Sequence, residues 1–114
     1  MLTVETLKAY GANTAEGLGR CFNNEAFYLR LVGMCLEDKN FEALSRAVAS
    51  GDAKAAFEAC HALKGSTGNL SLTPIYAPVC ALTEQLRDAT SLGDVNALYT
   101  QIMEALAQLR ALAK

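Results

Sequence analysis

The chain has one histidine, His61, set in the stretch CHALKGSTGNLS from Cys60 to Ser71. Lys64 follows one turn later, then Gly65 and Gly68. A neutral imidazole is a competent nucleophile. An ammonium group one turn away is placed to hold the oxygens of a phosphoryl group attached to the ring. The two glycines are costly if the stretch is helical, because each interior Gly weakens a helix by about 1 kcal/mol relative to Ala.

A helical projection at about 100° per residue shows what that cost serves. Phe57, Glu58, Lys64, Gly65 and Gly68 fall within about 60° of His61. Ala56, Ala59, Cys60, Leu63, Thr67 and Leu70 fall on the opposite side, beyond about 100°. The far side is small and apolar and reads as a core stripe. His61 is therefore expected to face solvent or a shallow groove, on a charged face whose missing Cβ atoms leave room for another molecule. The bland alternative is a surface His beside a surface Lys, with Gly68 fraying the helix end. The concurrence of these residues on one face favours the chemical reading.

The elements that must position this face are helices. Alternating β-branched runs are absent, and Ala and Leu dominate. Thr3 to Ala9 is a short amphipathic segment, and Asn13 or Thr14 caps a brief turn through Leu18. Asn24 precedes EAFYLRLVGMCLED, with Phe27, Leu31, Met34 and Cys35 on one stripe, the expected buried face. Asn40 opens FEALSRAVAS, and Gly51 closes it. Asp52 caps AKAAFEACHALKGSTGNL. Thr73 and Pro74 form a cap-then-proline start. Pro78 lacks the N–H that would reach the carbonyl of residue 74, so the regular helix either starts near Ala77 or kinks early. Gly93 ends that helix, and Asp94 caps VNALYTQIMEALAQLRALAK. The short connections GD, NLSLT and LGD imply antiparallel neighbours. The expected fold is all-α: an antiparallel four-helix bundle, with one or two short N-terminal helices, in a single domain spanning residues 1–114.

Composition narrows the function. A formal charge of −2 offers no basic excess to follow a phosphate backbone, so nucleic acid is a poor partner. No apolar run approaches the roughly 20 residues of a membrane span. MLTVETLKAY lacks the basic and apolar regions of a signal peptide, so a cytoplasmic location is the default expectation. Starting at Met1 and ending in a helix suits a free-standing protein. Cys21, Cys35, Cys60 and Cys80 contain no CxxC pair. Zinc sites usually need closely spaced ligand pairs, so no metal site is expected and the cysteines read as small buried hydrophobes. A metal- or redox-sensing role is disfavoured on the same ground. Neither a GxxxxGK[ST] loop nor a kinase-type glycine loop occurs, so the chain is not expected to phosphorylate itself from ATP.

HALKGSTGNL resembles the HxLKG motif of histidine-containing phosphotransfer (HPt) domains of two-component phosphorelays. The resemblance extends to the lead-in NTAEGLGRCFNNEAFYLRLVGMCLED, to SGDAKAAFEACHALKGSTGNL and to PVCALTEQLRDA, roughly residues 13 to 110. It implies a four-helix bundle in which His61 is the phosphoacceptor, at Nε2, Lys64 stabilises the phosphoryl group and Gly65 gives access. It implies receiver-domain partners whose aspartyl phosphate exchanges with the histidine. No cofactor is expected on this chain, since Mg²⁺ belongs to the partner receiver. The chain would be a phosphocarrier rather than an enzyme, and a monomer. Phe57, Glu58 and Gly68 would lie in the partner surface. A non-catalytic module that binds the same partners without phosphotransfer is the alternative.

Two positions depart from the family pattern. Ser71 stands where the family usually has Gly, with little effect expected from so small a residue. Thr83 stands where the family often has Gln or Glu to hold the non-reacting ring nitrogen, and is the candidate for orienting His61. Glu84 and Gln85 beside it are expected to point elsewhere. Arg87, one turn beyond Thr83, is a candidate second cation for the phosphate or the partner, with a solvated surface charge as the plain alternative.

Overall fold

A computed structural model describes all 114 residues. Seven helices follow one another: α1 (Val4–Tyr10), α2 (Thr14–Arg20), α3 (Glu25–Leu36), α4 (Lys39–Ser50), α5 (Ala53–Asn69), α6 (Thr73–Leu86) and α7 (Asn96–Leu112). The last four form the bundle. Each of α4 to α7 sends completely buried side chains into the shared core, among them Leu44, Leu63, Leu82 and Ile102. Helix α5 packs between α4 and α6, and α7 packs on α6. A 2.7 Å bond between the Ser45 and Tyr99 hydroxyls ties α4 to α7 and closes the ring. The two short N-terminal helices are present, and α3 adds a longer one outside the four.

Local chemistry explains most helix starts. Asn13, Asn24 and Asp52 each accept the backbone N–H three residues on, at 3.0–3.2 Å. Gly51 ends α4 in the left-handed region at φ 73°, where a Cβ would be strained. Other boundaries differ from the sequence reading. Asp38, not Asn40, caps α4; its Oδ1 accepts from Asn40 N at 2.8 Å and Asn40 Nδ2 at 2.9 Å. Thr73 is the first residue inside α6 rather than its cap, because Leu72 takes the cap position without a side-chain bond. The helix starts ahead of Ala77 and continues through Pro78, which is buried. It ends at Leu86 rather than Gly93. Arg87 leaves the helix in an extended conformation, and Asp88 and Gly93 both have positive φ in the connection to α7. Val95 holds the cap position of α7, while Asp94 Oδ1 still accepts from Asn96 N at 3.3 Å.

Helix α3 buries a different stripe from the one expected. Tyr28, Val32, Cys35 and Leu36 face inward, whereas Phe27 is 38% and Met34 59% exposed. Both stripes have helical spacing, so periodicity alone does not choose between them. Tyr28 decides it. Its ring is fully buried, and its hydroxyl donates to Leu70 O at 2.9 Å, beyond the end of α5.

Candidate functional site

The far face of α5 is seated in the core through Ala56, Ala59, Cys60, Leu63 and Thr67. That seating turns His61, Glu58 and Gly65 out to solvent and leaves Lys64 half-buried. An open cleft results. His61, Lys64, Gly65 and Gly68 supply its floor from α5, with Arg20 of α2 and Tyr76 of α6 on its sides. The two glycines do different things. A Cβ at Gly65 would meet nothing within 4 Å, so the space beside the imidazole is empty. A Cβ at Gly68 would lie 2.6 Å from Tyr76 Cε1. The room at Gly68 is filled from within the chain, by Tyr76.

Thr83 does not orient the histidine. Its side chain is fully buried, and its hydroxyl donates to Val79 O at 2.7 Å. A helical Thr commonly bonds back to the carbonyl four residues earlier, and this one has done so on the core side of α6. The His61 imidazole makes no hydrogen bond to any group of the chain. Its neighbour is Phe57, whose ring stacks on the imidazole with centroids 5.8 Å apart and planes 18° from parallel. The Arg87 guanidinium carbon stands 5.4 Å from the centroid of the Phe57 ring. Arg87 also grips Glu84 with two bonds, Nε to Oε2 at 3.2 Å and Nη2 to Oε1 at 3.0 Å. Glu84 Oε1 lies 4.0 Å from Lys64 Nζ. Glu84 therefore points into the site rather than away from it. The Arg87 hydrogen bonds hold its carboxyl below the usual carboxylate range. Gln85 does turn away, donating to Asp94 O at 2.8 Å.

Comparison with known families decides what this arrangement belongs to. The Hpt domain model matches residues 32–112, more than two thirds of the chain, including His61, Lys64, Gly65 and Gly68. The chain belongs to the Hpt domain family. No curated protein and no solved structure matches it. Hpt domains are phosphocarrier modules of two-component systems and interact with receiver domains in phosphorelays, so the role of this chain is phosphotransfer. No helix of this Hpt domain is long and apolar enough to cross a membrane.

The match starts at Val32, so α1 and α2 lie outside it. Even so, α2 contributes Arg20, which sequence reasoning missed. Arg20 Nη1 donates to Gly68 O at 3.0 Å and to Ser71 Oγ at 2.7 Å, and Nη2 pairs with Glu16 Oε1 at 3.0 Å. Ser71 Oγ donates to the same Glu16 oxygen at 2.7 Å. The only signal in the sequence was the Glu16–Arg20 spacing of four, which says nothing about α5. Ser71 is thus more than a small substitute for glycine. It sits in the left-handed region at φ 55°, a cost of about 1 kcal/mol for a residue with a Cβ, and its hydroxyl joins the α2 pair to the end of α5.

Cys21, Cys35 and Cys60 are buried as expected, whereas Cys80 on α6 is only half-buried and lies against Tyr76 at the side of the cleft. Burial pushes the Cys35 thiol up to about 11 and the Cys60 thiol up to about 12. The thiolate is the reactive and metal-binding form, so burial works against both.

Proposed function

We propose that His61 accepts a phosphoryl group from the phospho-aspartate of one receiver domain and passes it to another. The observation that carries this is the cleft itself. The only imidazole of the chain stands exposed with both ring nitrogens unbonded, beside an empty space at Gly65 and the ammonium of Lys64. The lone pair of one ring nitrogen, Nε2 on family resemblance, forms the P–N bond while the P–O bond to the aspartyl carboxylate breaks. Aspartate leaves as a carboxylate, and the other ring nitrogen keeps its proton through the transfer. Charge spreads over the phosphoryl oxygens, where Lys64 meets it, and the receiver brings its own Mg²⁺ to the same oxygens.

Incubation with a radiolabelled phospho-receiver tests the proposal. The protein should acquire phosphate that is labile in acid and stable in base. No transfer from any receiver of a panel would overturn it. Lys64→Ala removes a charge-assisted contact worth about 2 kcal/mol, so single-turnover transfer should slow at least tenfold while the circular dichroism spectrum is unchanged. Gly65→Ala separates stability from function. The added methyl touches nothing in the free protein and improves helix propensity, so unfolding free energy should rise by up to about 1 kcal/mol. The same methyl stands where the incoming phosphoryl group must pass, and transfer should fall.

A further inference from the structure

We infer that Phe57 orients the His61 ring by stacking, in place of a hydrogen bond to its second nitrogen, and that Arg87 steadies Phe57 in that position. The inference rests on His61 being the phosphoacceptor. The terminal torsion of a histidine is broad, so the ring plane needs an external constraint before a nitrogen can be aimed at phosphorus. Thr83, the candidate on the next helix for supplying a hydrogen bond, is buried in the core and spent on Val79 O. The remaining constraint is the Phe57 ring, one turn before His61 on α5 and nearly parallel to the imidazole at 5.8 Å, within the range of offset stacking. Phe57 is in turn constrained from α6. The Arg87 guanidinium lies 5.4 Å from its centroid, inside the cation–π range, and Arg87 is anchored by its two bonds to Glu84. Stacking fixes the plane of the imidazole and leaves both nitrogens free. A hydrogen bond would have fixed the plane and the tautomer together. Phe57 is therefore a positioning residue, and Arg87 acts through it.

Three variants separate this role from bulk packing. Phe57→Tyr keeps an aromatic face, Phe57→Leu keeps apolar volume without one, and Arg87→Gln removes the cation. Two readouts are compared with the parent: His61 ring-proton shifts and relaxation by NMR, which need no phosphate, and the rate of His61 phosphorylation by phosphoramidate, which needs no receiver. The parent should show His61 ring protons displaced by the Phe57 ring current. Phe57→Leu should lose that displacement, gain ring mobility and be phosphorylated roughly tenfold more slowly. Phe57→Tyr should restore both properties to within about twofold, and Arg87→Gln should fall between. A Leu variant with parental ring dynamics and rate would overturn the inference, as would a Tyr variant as impaired as Leu. Failure of the parent to be phosphorylated at all would instead overturn His61 as phosphoacceptor, leaving the NMR comparison to judge the stack alone.

Discussion

His61→Gln should fold as the parent does and take up no acid-labile phosphate from a phospho-receiver. The side chain is exposed and makes no hydrogen bond, so the fold loses only the Phe57 stack, about 1 kcal/mol. Glutamine is a good helix former, which offsets part of that loss. The midpoint of thermal unfolding should stay within roughly 5 °C of the parental value, on the usual scaling for a domain of this size. Function has no such reserve. A neutral amide has no basic lone pair to offer phosphorus, and the chain has no second imidazole to take over. The test is a labelled transfer assay with acid and base treatment of the product, run beside a thermal melt. Parental labelling of the variant would move the phosphoacceptor away from His61. Loss of labelling together with loss of the cooperative melt would show instead that His61 supports the fold, against its exposure.

The sidedness of α5 was legible because it is a local property. Helical geometry sends Cys60, Leu63 and Thr67 one way and His61, Lys64 and Gly65 the other, and the core can accept only the apolar set. Caps such as Asn24, Asp52 and Gly51 were legible for a related reason: their bonds and backbone angles involve residues within one turn. What stayed hidden depends on partners distant in sequence. Helix α3 carries two apolar stripes, and only the contact of Tyr28 with Leu70 selects one. Thr83 was assigned by its place in the family pattern, yet rotation of α6 is set by how Leu82 and Leu86 fill the core, and that rotation buries the hydroxyl. The same rotation brings Glu84 toward Lys64. Arg20 and Gly68 gain their roles from Ser71 and Tyr76, which spacing within α2 or α5 does not reveal.

Gly17→Ala should destabilise the protein by about 3 kcal/mol, although helix propensity alone predicts a gain of about 1 kcal/mol. Gly17 lies inside α2, where alanine is normally the better residue. A Cβ there would sit 2.6 Å from Tyr28 Cε1, 2.8 Å from the Tyr28 hydroxyl and 2.8 Å from Leu70 O. The Tyr28 ring is fully buried and has no free volume to move into, and Leu70 O is backbone. Relief therefore requires α2 to lift, or the Tyr28–Leu70 hydrogen bond to break inside the protein, where an unpaired carbonyl costs about 1–3 kcal/mol. Gly19→Ala is the matched control. It lies on the same helix with nothing within 4 Å of the added atom, so propensity acts unopposed and stability should rise by up to about 1 kcal/mol. Chemical denaturation of both variants reads the two signs directly. The Gly17 variant should melt roughly 10 °C lower and the Gly19 variant a few degrees higher. Equal behaviour of the two would show that α2 is not packed against Tyr28. The opposite signs would show that a helix lying outside the matched Hpt region is built into the same cooperative core as the phosphotransfer helix, through the one tyrosine that spans α2, α3 and the end of α5.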